Sequence, residues 1–147
     1  MSGEGLEANA LLKLIKVARA RADEVAVRIE ALRAALVAND ASLGMLDATV
    51  LEESTAARAA EMVGFTQLAG FLVGADKKRA ILKETQERLI GEIRSAEADL
   101  RAAYCELKKL EHVADRARVH ADRRRRRREG ADLDDAARLG AIRRRAR

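Results

Sequence analysis

The chain has 147 residues, of which 48% are apolar, 36% are charged and 2% are aromatic, and it contains no proline. Because 31 residues are alanine, too few bulky side chains remain to fill a compact multilayer core. A chain dominated by Ala, Glu, Leu, Lys and Arg is typical of long helices and coiled coils. β-Sandwiches, barrels and Rossmann-type enzymes, which need turn residues and β-branched strands, are nearly excluded.

The formal net charge of +5 is concentrated at one end of the chain. Residues 123–147 contain eleven Arg and four acidic residues, a net charge of +7, which leaves −2 on residues 1–122. A disordered chain would have fewer apolar residues and a larger net charge. The single cysteine, the lack of a signal peptide before the first charges and the lack of an apolar run near 20 residues predict a cytosolic protein. Peripheral attachment to a membrane remains open.

The first predicted helix carries an apolar seam whose members alternate steps of four and three residues. Eleven of its twelve positions are apolar, and the exception is Asn39, a residue that in coiled coils usually sets register or oligomeric state. The seam consists of Leu11, Ile15, Ala18, Ala22, Val25, Ile29, Leu32, Leu36, Asn39, Leu43, Leu46 and Val50. The pattern predicts a helix over about residues 6–60.

A turn is predicted at about residues 60–66, because residues 51–64 lose the bulky seam side chains and end at Gly64. A second seam then runs from Phe65 to Ala121, and fifteen of its seventeen positions are apolar; the exceptions are Arg79 and Gln86. It predicts a second helix over about residues 66–129. Two seams of similar length joined by a short link favour an antiparallel hairpin.

The second helix is predicted to end near Glu129, because glycine is preferred just past a helix end and residue 130 is Gly. A short final helix would restart with Asp132 as its N-cap, within a basic tail of residues 130–147. The predicted fold is therefore all-α: one coiled-coil domain over residues 1–147, built as a long antiparallel two-helix hairpin with a short C-terminal helix or tail.

The sequence offers little catalytic chemistry. His112 and His120 are eight residues apart, about 12 Å along a helix, so they cannot share a metal ion. Cys105 and His112 both fall on the outermost helix position and are interpreted as solvated surface residues. Glycine-rich phosphate-binding motifs are absent from the sequence. We therefore expect a non-enzyme that uses no cofactor and no metal.

Two segments remain as candidate contact surfaces. Residues 65–73 contain both phenylalanines and several large aliphatic residues, more than one seam can bury, so they form either a docking surface or a cap over the turn. The second segment is a run of six arginines: Arg123, Arg124, Arg125, Arg126, Arg127 and Arg128. A solvated helix end, a contact with an acidic protein or anionic membrane, and phosphate binding all fit this run. The nearby acids and the lack of interleaved aromatics disfavour nucleic acid.

Several of these features together resemble the flagellar export protein FliJ family and its type III secretion relatives, including the YscO-like proteins. They are the sequence FTQLAGFL at residues 65–72, the leucine seam from Leu82 to Leu110, and the charged ending LDDAARLGAIRRRAR. The resemblance implies a cytoplasmic component of the flagellar protein-export apparatus, peripheral to the inner membrane at the flagellar base.

The resemblance also implies partners. Such proteins are coiled-coil stalks that bind the hexameric export ATPase FliI and promote its assembly, escort export chaperones, and contact the export gate FlhA. Mapped by motif onto this chain, the gate contact falls on Phe71, Leu72 and Ala75. The helix pair formed by the chain termini, residues 11–36 against 100–121, would enter the ATPase ring.

Two other functions stay open at this stage. One is a homodimeric coiled-coil scaffold, in which the seams would pair between two chains. The other is a helical nucleic-acid-binding protein that uses its arginine-rich tail, for which salt-dependent binding should vanish when residues 123–147 are removed.

Overall fold

The computed structural model describes residues 2–147, apart from the side chains of residues 2 and 61–63. Two helices make up nearly all of this range: α1 spans Ser2–Ala59, with 58 residues, and α2 spans Glu61–Arg145, with 85 residues. The described residues include no strand. The all-α class predicted from composition is confirmed, and the two long helices pack together as a helical hairpin requires.

The chain divides into two compact units, and each contains a segment of both helices. The hairpin unit is Arg21–Ala102, and the terminal unit joins the chain up to Ala20 with Ala103–Arg147. In the hairpin unit Arg33 contacts Glu97 at 3.2 Å and Asp47 contacts Arg79 at 2.5 Å, so residue numbers rise on α1 as they fall on α2. In the terminal unit Glu4 pairs with Arg124 and Arg19 pairs with Glu111. The helices are therefore antiparallel within each unit.

The predicted seam of α1 forms its contact face. All twelve seam positions are buried or half-buried, and the best covered are Ala22 and Ile29, which are 1% and 3% exposed. On α2 the predicted positions from Leu68 to Leu110 are likewise buried or half-buried, with Ala96 only 1% exposed. Small residues such as Ala22 and Ala96 at the contact let helix backbones approach closely. The periodicity thus identified the contact face of each helix.

The turn is shorter than predicted. A single residue, Ala60, lies between the two helices, and its backbone N–H donates a hydrogen bond of 3.2 Å to the carbonyl of Ala57. Ala57 is 6% exposed and Gly64 is also buried. A Cβ atom on Gly64 would lie 2.8 Å from the Ala57 oxygen and 2.9 Å from the Ala60 Cβ. Because glycine permits this close approach, the chain reverses over one residue, and the predicted turn over residues 60–66 was too long.

Phe65 is a second correction near the turn. The heptad register placed it on the seam, but its side chain is 55% exposed. Gly64, one residue earlier, takes the buried position at the start of α2, which rotates Phe65 away from α1. Among the side chains of α2 that the structure describes, Gly64 and then Leu68 are the first on the contact face.

The polar seam residues of α2 pair with polar side chains of α1. Arg79 binds Asp47 and Gln86 donates a 2.8 Å hydrogen bond to Asp40. Asn39, which is 8% exposed, donates a 2.9 Å hydrogen bond to the backbone carbonyl of Leu82. Side-chain partners therefore satisfy this polar layer, as a partly buried layer requires.

The end of α2 contradicts the prediction most clearly. The helix continues through Glu129 and Gly130 to Arg145, so there is no separate short helix starting at Asp132. An added Cβ on Gly130 would meet no other atom within 4 Å, so this glycine lies on an ordinary exposed helical turn. Asp132, the expected N-cap, lies in the helix interior, as do Asp134 and Asp135. The Arg- and Ala-rich surroundings favour helix by enough to continue past a single glycine.

Seam contact weakens within the terminal unit. Ala117 and Ala121 were predicted seam members but are exposed. The seam of α1 begins only at Leu11, and the earlier Leu6 is 68% exposed, so few large apolar residues of α1 face this part of α2. Beyond Arg124, which pairs with Glu4, α2 continues past the start of α1 at Ser2. Except for half-buried Gly140, residues 123–147 are exposed.

One segment of α1 is apolar enough to cross a membrane by length and composition alone. No such run had been recognised in the sequence. This is weak evidence, because a packing helix of a soluble protein passes the same test. The seam side of the segment packs on α2, through Asn39 and Leu46 among others.

Candidate partner-binding surfaces

The three residues proposed for a gate contact lie on the first turns of α2 in the hairpin unit, at different depths. Ala75 is 5% exposed and belongs to the contact with α1. Phe71 and Leu72 are half-buried and keep part of their surface open to solvent. A partner could touch Phe71 and Leu72 directly, whereas Ala75 would act by letting the two helices approach.

Phe71 borders a shallow groove of about 570 Å³ between the two helices. Its α1 side is formed by Ser42, Met45 and Thr49, and its α2 side by Gly70, Phe71, Gly74 and Lys78. Gly70 and Gly74 are one helical turn apart, and added Cβ atoms there would meet nothing within 4 Å. The missing side chains leave the flank of Phe71 uncovered, so an apolar side chain of a partner could contact it.

The opposite edge of the hairpin unit is closed by polar contacts. Arg33, Asp40 and Asp47 are spaced by seven residues on α1, so they share one edge of that helix. Each reaches a partner on α2: Glu97, Gln86 and Arg79 respectively. The corresponding positions on the other edge are Ala35, Ser42 and Thr49, none of which contacts α2 through a described side-chain hydrogen bond. The groove beside Phe71 lies on this second edge, the one formed on α1 by Ala35, Ser42 and Thr49.

The six predicted arginines lie where α2 passes the beginning of α1. Arg124 pairs with Glu4, and Arg125 lies 3.4 Å from Asp122 and 4.0 Å from Glu129. The other four are exposed, and no described acidic group lies within ion-pair distance of them: Arg123, Arg126, Arg127 and Arg128. The run is therefore a solvated basic surface on a continuous helix, available to an acidic partner.

Cys105 and His112 are exposed, as their outermost register positions predicted, and His120 is exposed too. The described residues contain no group of three or more His, Cys, Asp and Glu that could hold a metal ion. The shallow depressions along α2 near His112 and His120 are lined largely by one helix face. Such a surface does not enclose a reactant.

Glu111, in the terminal unit, is an acid whose surroundings shift its titration. Lys108 donates a hydrogen bond of 3.2 Å to one of its carboxylate oxygens and Arg19 donates one of 3.3 Å to the other. These two cations, Lys108 first, hold the pKa of the Glu111 carboxyl below its usual value against a smaller opposing effect of desolvation. Glu111 thereby joins α1 to α2 through Arg19.

Sequence reasoning missed the groove beside Phe71. The signal was present, since glycines 70 and 74 stand four residues apart and must share one side of the helix with each other. Which residues of α1 would face them depended on the helix pairing, which the sequence alone did not define.

Comparison with known proteins gives one match. A family model described as Flagellar FliJ protein matches residues 7–146. Searches of curated proteins and of solved structures return no match.

Proposed function

The chain belongs to the FliJ family of flagellar proteins, and from this we propose that it is a non-enzymatic component of the flagellar type III protein-export apparatus. The observation that carries the proposal is the extent of the match, which includes both helices and the basic end of α2. The fold is compatible, because two packed helices present long surfaces and no enclosed pocket, as suits a protein that acts through partners.

We propose that the terminal unit binds the hexameric export ATPase and promotes its assembly and activity. The unit presents a slim helix pair that ends in a single basic helix, with four of the six arginines from Arg123 to Arg128 free of described ion pairs. A single helix can enter a narrow opening that a bulkier domain cannot. Its positive charge favours an acidic partner surface and speeds association with it.

The second proposed contact is with the export gate, through the hairpin unit. Phe71 is a half-buried aromatic residue that lines the groove, and Leu72 next to it in the chain is also half-buried. Aromatic side chains next to open grooves are typical interface anchors. Escort of export chaperones and a peripheral position at the inner membrane rest on the family relation alone.

The ATPase contact is tested with the purified chain and the export ATPase of the same cell. We expect the chain to co-purify with the ATPase, to increase its hydrolysis rate and to increase the fraction of hexamer. A triple variant, Arg126→Glu, Arg127→Glu and Arg128→Glu, should reduce all three effects at least about tenfold if the basic run makes the contact.

The matched control changes the same amount of charge elsewhere: Lys77→Glu, Arg94→Glu and Arg101→Glu, three exposed residues of α2 in the hairpin unit. The control should bind the ATPase as the unaltered chain does. If the unaltered chain neither co-purifies with the ATPase nor changes its turnover, the proposed function is wrong. Equal losses in the two triple variants would leave the function standing but remove the basic run as its site.

The gate contact has a test of its own. Phe71→Ala should weaken binding to the export gate while the helix content stays unchanged. Ile81→Ala is the control, because Ile81 is a large apolar residue on the same helix, is 64% exposed and lies outside residues 65–73. A large loss of unfolding free energy in Phe71→Ala, with gate binding unchanged, would mean that the residue only caps the turn.

A further inference from the structure

A row of uncharged residues covers the side of α1 that faces away from α2 in the hairpin unit. We call it the outer stripe, and it consists of Ala34, Val37, Ala41, Gly44, Ala48 and Leu51. All six are exposed, and the large members Val37 and Leu51 are each 69% exposed. Met45, beside the stripe, is 72% exposed. Exposed apolar side chains scattered singly are ordinary, but a continuous row along one helix face marks a contact surface.

The outer stripe has the spacing of a second seam. From Ala34 to Leu51 its members alternate steps of three and four residues, the same spacing as the seam that packs on α2. Ala34, Ala41 and Ala48 recur every seven residues, so a second helix could approach closely along the whole length. The spacing therefore fits a helix better than an extended peptide or a globular surface.

The charges around the stripe disfavour a membrane as its occupant. Residues 34–57 contain four acidic residues and neither Lys nor Arg. Helices that lie on membrane surfaces usually carry Lys and Arg beside the apolar face to attract anionic lipids. Here the neighbouring charges are Asp40, Asp47 and Glu52, which anionic lipids would repel.

The charges at the two ends of the outer stripe favour its pairing with the outer stripe of a second copy of the chain, whose α1 helix runs in the opposite direction. Glu30 lies one turn before the stripe, where 72% of its side chain stays exposed although it pairs with Arg33 at 3.0 Å, and exposed Arg58 lies two turns beyond the other end. In an antiparallel pair of α1 helices the Glu30 end of one copy meets the Arg58 end of the other at both ends. A parallel pair would instead bring like charges together, which is unfavourable.

Side-chain sizes complement each other in the same antiparallel arrangement. With Gly44 placed against Ala41 of the second copy, Val37 falls against Ala48 and Leu51 against Ala34 of that copy. Each large residue thus meets a small one, and two-fold symmetry repeats every contact. We propose that two copies of this chain associate through their outer stripes, with the α1 helices antiparallel.

The size of the surface indicates a weak dimer. From Glu30 to Arg58 the helix is about 42 Å long, and a strip about 10 Å wide on each copy would bury on the order of 800 Å² in total. Stable complexes usually bury about 1,200–2,000 Å². The dimer should therefore form with rising concentration, or where several copies are held close together, and dissociate on dilution.

The test is sedimentation of the full chain over a range of concentrations, with one charge introduced into the stripe. An added Cβ on Gly44 meets nothing within 4 Å, so Gly44→Glu should not disturb the contact with α2. The unaltered chain should show a reversible monomer–dimer equilibrium. Gly44→Glu should raise the dimer dissociation constant at least about tenfold, because it buries two like charges at the centre of the contact.

Gly91→Glu is the matched control, since Gly91 is an exposed glycine of α2 in the same unit and an added Cβ there also meets nothing within 4 Å. It should leave the dissociation constant unchanged. The proposal is overturned if the unaltered chain stays monomeric up to millimolar concentration, or if Gly44→Glu dimerises as well as Gly91→Glu. It is also overturned if the unaltered chain binds anionic or neutral lipid vesicles, Gly44→Glu abolishes that binding, and the chain shows no self-association.

Orientation is tested by charge reversal. Glu30→Arg alone and Arg58→Glu alone should each weaken the dimer, and the two changes together should restore it, because the opposite charges then meet again. In a parallel dimer the combined variant would gain nothing over the single ones, which would contradict the antiparallel arrangement. Failure of these experiments would leave the proposed role in export untouched, because the ATPase contact uses other residues.

Discussion

Two glycines of α2 lie near the two helix boundaries that the sequence predicted, and their surroundings differ completely. Gly64 is buried at the turn, where an added Cβ would lie 2.8 Å from the backbone oxygen of Ala57. Gly130 lies on an exposed turn, where an added Cβ would meet nothing within 4 Å. The first glycine is required by the contact between two helices. The second is a local weakness in a helix that continues regardless.

The difference shows that a glycine marks a boundary only where tertiary contact uses the space it leaves. At residues 57–64 both helices contribute small buried residues, and the chain reverses over Ala60. At residues 130–145 the described part of α1, which begins at Ser2, no longer lies opposite, so only helix propensity and contacts within the helix decide the structure. Propensity costs of about 1 kcal/mol for one glycine are too small to end a helix in favourable surroundings.

The largest expected effect contrasts the paired helices with the unpaired end of α2. Ile29 is 3% exposed, and Ile29→Ala should lower the free energy of unfolding by roughly 2–5 kcal/mol, because it leaves a cavity in the contact with α2. Leu139 is 58% exposed, and Leu139→Ala should change the free energy of unfolding by less than about 0.5 kcal/mol. Urea unfolding followed by circular dichroism measures both. Equal losses would mean that the end of α2 packs on something in solution.

The second prediction tests the two glycines directly. Gly64→Ala should destabilise the hairpin unit by about 1–3 kcal/mol, because the methyl group would overlap Ala57 and force the helices apart. Gly130→Ala should instead increase helix content slightly and stabilise its helical segment by about 0.5–1 kcal/mol. Thermal unfolding of the two variants is the measurement. A stabilised Gly64→Ala would show that the turn adjusts without cost.

The smallest expected effect is a pH dependence in the terminal unit. Lys108 and Arg19 lower the pKa of the Glu111 carboxyl, so the charged form stabilises the folded state. That contribution is present above the pKa of Glu111 in the unfolded chain and is lost as the pH falls through the lower pKa of the folded chain. The melting temperature of Glu111→Gln should therefore fall less steeply than that of the unaltered chain as the pH is lowered below about 4.5. Near neutral pH the melting temperatures of the two proteins should depend on pH to the same extent. NMR titration of the Glu111 carboxyl carbon checks the direction of the shift, and an unshifted pKa would contradict it.

The sequence predicted the contact faces well because burial follows a period that the residues repeat many times. Twelve positions of α1 share one register, so a single polar member such as Asn39 does not obscure it. Phe65 was assigned wrongly because its position depends on a close approach between Gly64 and Ala57, which involves two different helices. No local pattern contains that information.

The candidate surfaces were harder to predict than the fold. Residues 65–73 were recognised as more apolar than one seam can bury, but the groove beside Phe71 depends on which α1 residues lie opposite Gly70 and Gly74. The pairing of Arg79 with Asp47 defines that register, and it was not predicted. The six arginines were recognised from sequence, whereas their place on a continuous helix beyond the start of α1 emerged only from the structure.

The one-sided distribution of polar contacts in the hairpin unit has a mechanical consequence. Arg33, Asp40 and Asp47 connect the helices along one edge only, while small uncharged side chains occupy the other. Thermal opening of the pair should therefore be a rotation about the connected edge, and the helices should separate first beside Ser42 and Thr49. A partner side chain could insert between the helices beside Ser42 and Thr49 without breaking an ion pair of the connected edge. Raising the ionic strength should weaken the connected edge and make the opening less directional.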